Sequence, residues 1–305
     1  MKNLLRNFVR TVISIVLTQE SGNTIHSALF KFKNKNKWIF RLFYGTANDG
    51  EIFNNILQKL VKKFDILMIH SSFDGMMPMY NGNPTKLLSL IISHCKQNNI
   101  TLAMPTFFGG SNLQAKEHYE KGDQIFNVKK TASQIGLLTE LFRITQNVKR
   151  SIHPTHSICA LGPLADQLIK NHHLADTTFG EGTPFGEMIK YKTLILGVGT
   201  KSDHALTQIH SVEDIMKGNY PIQLYSDTLP VTCVDEFGNT LKYNLRIKNP
   251  EYVIDRKSFY RILKSIKIMN WTYKGIPFFL TQADAVTKAF VDAAKNGQTM
   301  YKKRK

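Results

Sequence analysis

Apolar residues recur along the chain at two spacings, helical and strand-like, and the changes between them divide it into elements. Near the start, Leu4, Leu5, Phe8, Val9, Val12, Ile13 and Val16 share one helical stripe, with Lys2, Asn3, Arg6, Asn7, Arg10 and Ser14 opposite. The spacing predicts a basic amphipathic helix from Met1 to about Leu17. Such a helix lies in a membrane interface, or docks on its own domain or a second subunit. Arg6 and Arg10 interrupt the apolar stretch and no small-residue cleavage site follows, so it does not read as a signal peptide. Next, Lys31, Lys33, Lys35 and Lys37 alternate with Phe32 and Trp38, the pattern of a solvated face.

From Glu51 the pattern becomes regular. Ile52, Ile56, Leu57 and Leu60 mark a helix, and Ile66 to Ile69 a buried strand. Pro84 to about Gln97 reads as a helix with proline near its start, followed by a strand over Ile100 to Met104. Phe107 to Ser133 reads as a long polar loop, the kind that often carries function. Helices are predicted over Gln134 to Arg143, Pro163 to His172 and Ala205 to Met216, and strands over Ser157 to Leu161 and Thr193 to Val198. Beyond Tyr220 come strands at Gln223–Tyr225, Val231–Val234 and Thr240–Ile247, with Phe237-Gly238-Asn239 as a hairpin turn. A helix from Arg256 to Lys267, a strand at Pro277–Leu280 and a helix from Gln282 to Lys295 close the pattern. Thr281 and Asp284 are placed for a capping box on that last helix. The β-α-β order implies a parallel or mixed sheet covered by helices in one α/β domain. The expected division is an N-terminal helix (1–20), a connector (21–50), one domain (51–300) and a frayed basic tail (301–305).

Composition alters the picture in two places. Cys95, Cys159 and Cys233 are odd in number and far apart, which fits a reducing cytoplasm and buried thiols better than a disulfide framework. The formal net charge of +17 favours anionic company such as phosphates, nucleic acid or an anionic membrane surface.

The sharpest chemical constellation is Thr207, His210 and Glu213, three residues apart in a predicted helix and so on one face. A carboxylate beside an imidazole fixes its tautomer and favours its protonated form, which suits a general base. The preceding strand ends at Gly197-Val198-Gly199, and ligands of open α/β sheets bind at such carboxyl ends. The spacing alone also fits an ordinary surface His–Glu pair. A second constellation is Arg150-Ser151-Ile152-His153-Pro154-Thr155-His156-Ser157. It fits a phosphate held by Arg150 and Ser151, or a metal held by His153, His156, His172 and His173. No carboxylate or thiolate completes the metal set at usual spacing, so no metal is expected. His70-Ser71-Ser72 and Met104-Pro105-Thr106-Phe107 stand at two further strand ends, where hydroxyls and backbone N–H groups meet anions, or simply make turns.

There is no G-x-S-x-G, no Walker loop and no third glycine completing a dinucleotide fingerprint after Gly197 and Gly199. No nucleic-acid-binding motif is readable, so specific nucleic acid binding is not expected.

Taken in order, Asp65 to Ser72, Met104 to Phe107, Gly136 to Arg143, Arg150-Ser151, His153-Pro154, Ser157, Leu161-Gly162, Phe179-Gly180, Thr183-Pro184, Leu196 to Gly199, and Thr207 with His210 and Glu213 resemble the aminoglycoside 3-N-acetyltransferase family. The resemblance implies a single mixed-sheet α/β domain unlike the GNAT fold. It implies acetyl-CoA as cosubstrate and an amine of an amino sugar as acceptor. In its terms His210 is the base, Glu213 orients it, and Thr207 sits near the acyl carbonyl. His70, Ser71, Ser72, Thr106, Phe107, Arg150 and Ser151 would line the CoA arm, and His153 the acceptor.

The sequence departs from the family pattern at Asn127 with Thr131-Ala132-Ser133, and at Gln146-Asn147-Val148-Lys149. Both departures bear on the acceptor more than on the chemistry. A nucleotide- or lipid-linked amino sugar fits the basic charge better than a free polycationic aminoglycoside, which stays open as acceptor on the strength of the resemblance. It is expected in the cytoplasm, peripheral to the inner membrane through the N-terminal helix, and a homodimer is one partner arrangement. The competing expectation is a non-catalytic anion- or nucleic-acid-binding protein on the same fold.

Overall fold

The computed structural model describes residues 32–304 apart from 34, 62, 110–111 and 122–124. The predicted helix over Met1 to Leu17 lies outside the described residues.

Twelve strands occur among the described residues: β1 (Ile66–Ser71), β2 (Thr101–Pro105), β3 (Ile125–Asn127), β4 (Lys149–Arg150), β5 (Ile158–Leu161), β6 (Thr193–Val198), β7 (Tyr225–Val234), β8 (Thr240–Lys248), β9 (Tyr252–Ile254), β10 (Met269–Tyr273), β11 (Ile276–Gln282) and β12 (Tyr301–Lys303). The main sheet has the order β10-β11-β6-β1-β2-β5-β4. Its centre is parallel, β1 pairing with β2 and β6, while β11 and β5 run antiparallel on either side. The mixed α/β sheet expected from the sequence is therefore present. β3, β7 and β8 form a second sheet, and β9 pairs with β12.

The central strands are apolar on both faces because helices cover both. Along β1, Leu67 and Ile69 enter a core with Phe142 and Phe278, while Ile66 and Met68 enter another with Phe185 and Phe290. Phe126, Val231 and Leu245 build a third, smaller core under the second sheet. Local chemistry sets helix starts: Asn83 accepts the Thr85 N–H ahead of Pro84, and Asn48 makes a capping box with Glu51.

At the carboxyl edge of the sheet, Gly199 has φ +70° and packs against Ser72 and Met76, so a side chain there is both strained and obstructed. That contact seats the turn after β1 against the turn after β6, placing two predicted ligand-binding strand ends side by side.

Several expectations are corrected. The stretch from Phe107 to Ser133 contains the helix Asn112–Glu120 and β3. Ala205 to Met216 is not one helix: the helix Ser202–Ala205, a 3-10 turn Thr207–His210 and the helix Ser211–Ile215 follow one another. Tyr225 to Val234 is one strand, with Pro230 inside it and a register shift between Tyr225 and Asp227. The last helix is Ala283–Lys295, with no side-chain cap from its N-cap residue, so the Thr281–Asp284 box does not form. The helix Lys37–Tyr44 buries Phe40 in the main core, inside what the pattern marks as connector. Lys302 and Lys303 pair with β9 rather than fraying. Among the described residues, no helix is long and apolar enough to cross a membrane.

Candidate active site

β6 is buried along its whole length and delivers the chain to the sheet's carboxyl edge. In the 3-10 turn that follows, residues three apart eclipse, so Thr207 and His210 share a face. One helical turn on, Glu213 Oε1 lies 2.7 Å from His210 Nδ1. The carboxylate is essentially enclosed, with 1% of its side chain exposed, while the imidazole keeps 20%. An acceptor this close places the neutral ring's proton on Nδ1 and leaves the Nε2 lone pair free.

Glu213 is held from three further directions. Tyr225 Oη, at the start of β7, donates to Oε2 at 3.1 Å. Lys248 Nζ, at the end of β8, lies 3.1 Å from the same oxygen. Tyr301 Oη, from β12, donates to Oε1. Burial on its own would raise the Glu213 pKa, but Lys248, His210 and the hydroxyl bonds overcome it and hold the group at about 2. A buried charge is tolerable when saturated with donors in this way.

His210 runs against expectation. Burial and the Lys248 ammonium, 3.3 Å from Nδ1, outweigh Glu213 and lower its pKa below the ordinary histidine value. Burial and Lys248 therefore favour the neutral imidazole, against Glu213, which favours its charged form. Thr207 donates only a long bond, 3.5 Å to Ala205 O, so its half-buried hydroxyl is nearly uncommitted. His210 and Thr207 both line an open cavity of 280 Å³ with Ser202, Asp203, Arg256 and Tyr260.

Behind the ring, Phe179 lies 5.4 Å from His210, His156 5.0 Å from Phe179, and Phe107 4.8 Å from His156, centroid to centroid. This ladder joins the end of β2 to His210. None of His70, Ser71, Ser72, Thr106 or Phe107 lines the 280 Å³ cavity itself.

The other expected donor contacts divide by burial. Arg150 is 5% exposed; its Nε donates to Ser157 Oγ at 2.9 Å, Nη1 to Val128 O and Thr131 O, and Nη2 to Thr106 O at 2.8 Å. Its guanidinium is spent on backbone carbonyls, which makes it a brace between loops and corrects its reading as a phosphate ligand. Thr106 and Ser151 are likewise enclosed, Thr106 bonding Ser157 and Ser151 bonding His172 and the Ile158 N–H. Ser72 caps the short helix Phe73–Met76, and Ser71 Oγ is buried without a partner. His70 is buried, and desolvation lowers its pKa to about 4.

His153 is fully enclosed. Its Nδ1 accepts the N–H groups of Thr155 and His156, and its ring stacks on His172 at 4.6 Å. That commitment of Nδ1 removes it from a ligand set. Among the described residues, no group of three or more His, Cys, Asp or Glu is placed to hold a metal.

Lys248, Tyr301 and Tyr225 escaped the sequence reading. Lys248 ends an alternating strand whose partner face is not legible locally, and Tyr301 adjoins a run of basic residues that reads as a tail.

The sequence pattern that defines the aminoglycoside 3-N-acetyltransferase family matches residues 68–271. This chain belongs to that family. Aminoglycoside N(3)-acetyltransferase III of Salmonella sp is 28% identical over 172 residues, 52% of this chain and 59% of that protein. Aminoglycoside N(3)-acetyltransferase IV of Salmonella sp is 26% identical over 177 residues, 57% of this chain and 61% of that protein. The matched stretch thus spans about three fifths of the length of these curated relatives. Among solved structures, aminoglycoside acetyltransferase AAC(3)-Xa superposes with a TM-score of 0.68 at 17% identity, covering 87% of this chain and 99% of the other. AAC-IIIb in a binary complex with CoASH gives 0.66 at 17%, covering 83% and 98%. Sisomicin-bound AAC-VIa gives 0.66 at 16%, covering 83% and 100%. These likenesses establish the shared fold.

Proposed function

We propose that this protein transfers an acetyl group from acetyl-CoA to an amine of an amino sugar, with His210 as general base. The observation that carries this reading is an imidazole whose Nδ1 is tied to a buried carboxylate and which, with Thr207, borders an open cavity. Family membership supports it, as do the CoASH held by AAC-IIIb and the sisomicin held by AAC-VIa.

In this mechanism the acceptor nitrogen attacks the thioester carbonyl while His210 Nε2 takes its proton. The carbon–sulfur bond then breaks and CoA leaves as thiolate, receiving a proton as it departs. Glu213 stabilises the imidazolium formed in between, and the Thr207 hydroxyl is positioned for the developing oxyanion. The partly exposed strand-end residues Ser71, Ser72 and Phe107 remain the proposed path of the CoA arm.

The charge of +17 favours a second reading of the acceptor, an amino sugar linked to a nucleotide or lipid phosphate. It also favours reversible contact of the 1–17 segment with an anionic membrane. Free CoA thiol released from acetyl-CoA, measured over aminoglycosides and nucleotide-linked amino sugars, tests the reaction and separates the acceptors. Release with neither class, nor with simple amines, defeats the reading and leaves a non-catalytic anion binder. Vesicle sedimentation of the full chain against a chain beginning at Ser21 tests the membrane contact, which fails if both sediment alike.

A further inference from the structure

Two residues that no motif singles out converge on the His–Glu pair from outside its helix. Lys248 closes β8 in the second sheet, and Tyr301 opens β12, whose partner is β9. Lys248 Nζ lies 3.3 Å from His210 Nδ1, 3.3 Å from Glu213 Oε1 and 2.9 Å from Tyr301 Oη. Tyr301 Oη lies 3.2 Å from His210 Nδ1 and also bonds Glu213 Oε1. Since Nδ1–H points at Glu213, neither Lys248 nor Tyr301 bonds the ring. Their proximity acts instead through charge and through the carboxylate.

We infer that Lys248 and Tyr301 are positioning residues of the His210–Glu213 pair. They fix Glu213 as acceptor of the Nδ1 proton and set the field in which Nε2 takes up a second one. Tyr301 accepts from Lys248 and donates to Glu213, so the three form one chain of bonds. The phenol stays protonated, because burial and the neighbouring carboxylate push its pKa well above the ordinary tyrosine value. The other polar groups facing the ring are Tyr225 from β7, whose phenol is likewise held protonated, and His156, held neutral by burial with a pKa of about 3. The Asp214–Arg246 ion pair lies beyond them. Among the described residues Lys248 is thus the cation nearest the base, and it opposes protonation of the ring that Glu213 favours.

The inference rests on His210 being the base, and its test separates the two claims. Titration of His210 by NMR in the full chain reads the ring directly, without turnover. Lys248→Met should raise the midpoint by about one pH unit or more, since a like charge is removed. Glu213→Gln should lower it, and Lys248→Arg should keep it near the parent. If acetyl transfer is observed, the acid limb of kcat should move in the same directions. Tyr301→Phe should lower kcat about tenfold, with KM for acetyl-CoA unchanged, through loss of a charge-assisted hydrogen bond. A His210 midpoint unchanged or lowered in a folded Lys248→Met protein overturns the inference, whatever the activity. Absence of turnover with the expected NMR shifts defeats the enzymatic reading and leaves the positioning intact.

Discussion

Asp214 fixes Phe179 by its backbone: Oδ2 accepts the Phe179 N–H at 2.8 Å, while Oδ1 pairs with Arg246 at 2.7 Å. The Phe179 ring forms one wall behind His210, and the Arg246 guanidinium lies 3.7 Å over the Tyr225 ring that reaches Glu213. A single buried carboxylate thereby ties the Phe179 loop and the second sheet to the His–Glu turn. Asp214→Ala takes the acceptor from the buried Phe179 N–H and the partner from the partly exposed Arg246, and should cost about 1–3 kcal/mol in urea unfolding, the usual penalty for a buried donor left unpaired. Asp214→Asn retains an acceptor for Phe179 and should cost less. Equal losses in the two variants would mean that the backbone bond contributes nothing.

His210→Ala should lower kcat by about 10²–10⁴-fold, the range for positioned proton transfer. Calorimetric affinity for CoA should change little, because the ring is proposed to act on the amine rather than on the donor. Near-parental turnover would remove His210 from the mechanism.

The central sheet was legible because β1, β2 and β6 are short apolar runs buried on both faces, and the helix Pro84–Gln97 because proline and an amide cap mark its start. The His210–Glu213 contact was legible because both residues share one turn. The clamp around it was not: Lys248 is 35 residues and Tyr301 88 residues from Glu213. Pairing of β12 with β9 brings Tyr301 in, and such long-range pairing leaves no trace in local periodicity. Asn112–Glu120 was missed for a different reason, since its polar residues give little helical contrast between faces. Arg150 was misplaced because an arginine beside a serine at a strand end looks like an anion site, whereas its acceptors are carbonyls contributed by distant loops.

That bracing role carries its own prediction. Arg150→Met leaves the carbonyls of Val128 and Thr131 without the Arg150 donor, while Thr106 O keeps the Ser157 hydroxyl, and should destabilise the fold by roughly 2–3 kcal/mol. CoA affinity, measured on the folded fraction, should stay near the parent. Weakened CoA binding with stability intact would restore Arg150 to the donor site.

The buried histidines should make the fold acid-sensitive. His153 stacks on His172 inside the protein, and His156 packs between Phe107 and Phe179. Burial lowers the His156 and His172 pKa values to about 3 and that of His70 to about 4, and holds His153 well below the ordinary histidine value. An unfolded chain takes up these protons near pH 6.5, the ordinary histidine value. The native chain does not, so below that pH the unfolded state binds more protons and stability falls with pH. Each such histidine contributes up to about 1.4 kcal/mol of loss per pH unit below 6.5. Stability should be nearly flat from pH 8 to 7 on this account, then drop through pH 6 and 5 as the urea midpoint declines. His172→Asn removes one of these proton sinks. It should lose stability at pH 7.5, where its bonds to Ser151 and the Thr178 carbonyl are disturbed, yet decline less steeply toward pH 5. A decline parallel to the parent would mean that His172 is already protonated in the native state, with Nδ1 donating to Ser151 rather than accepting from it.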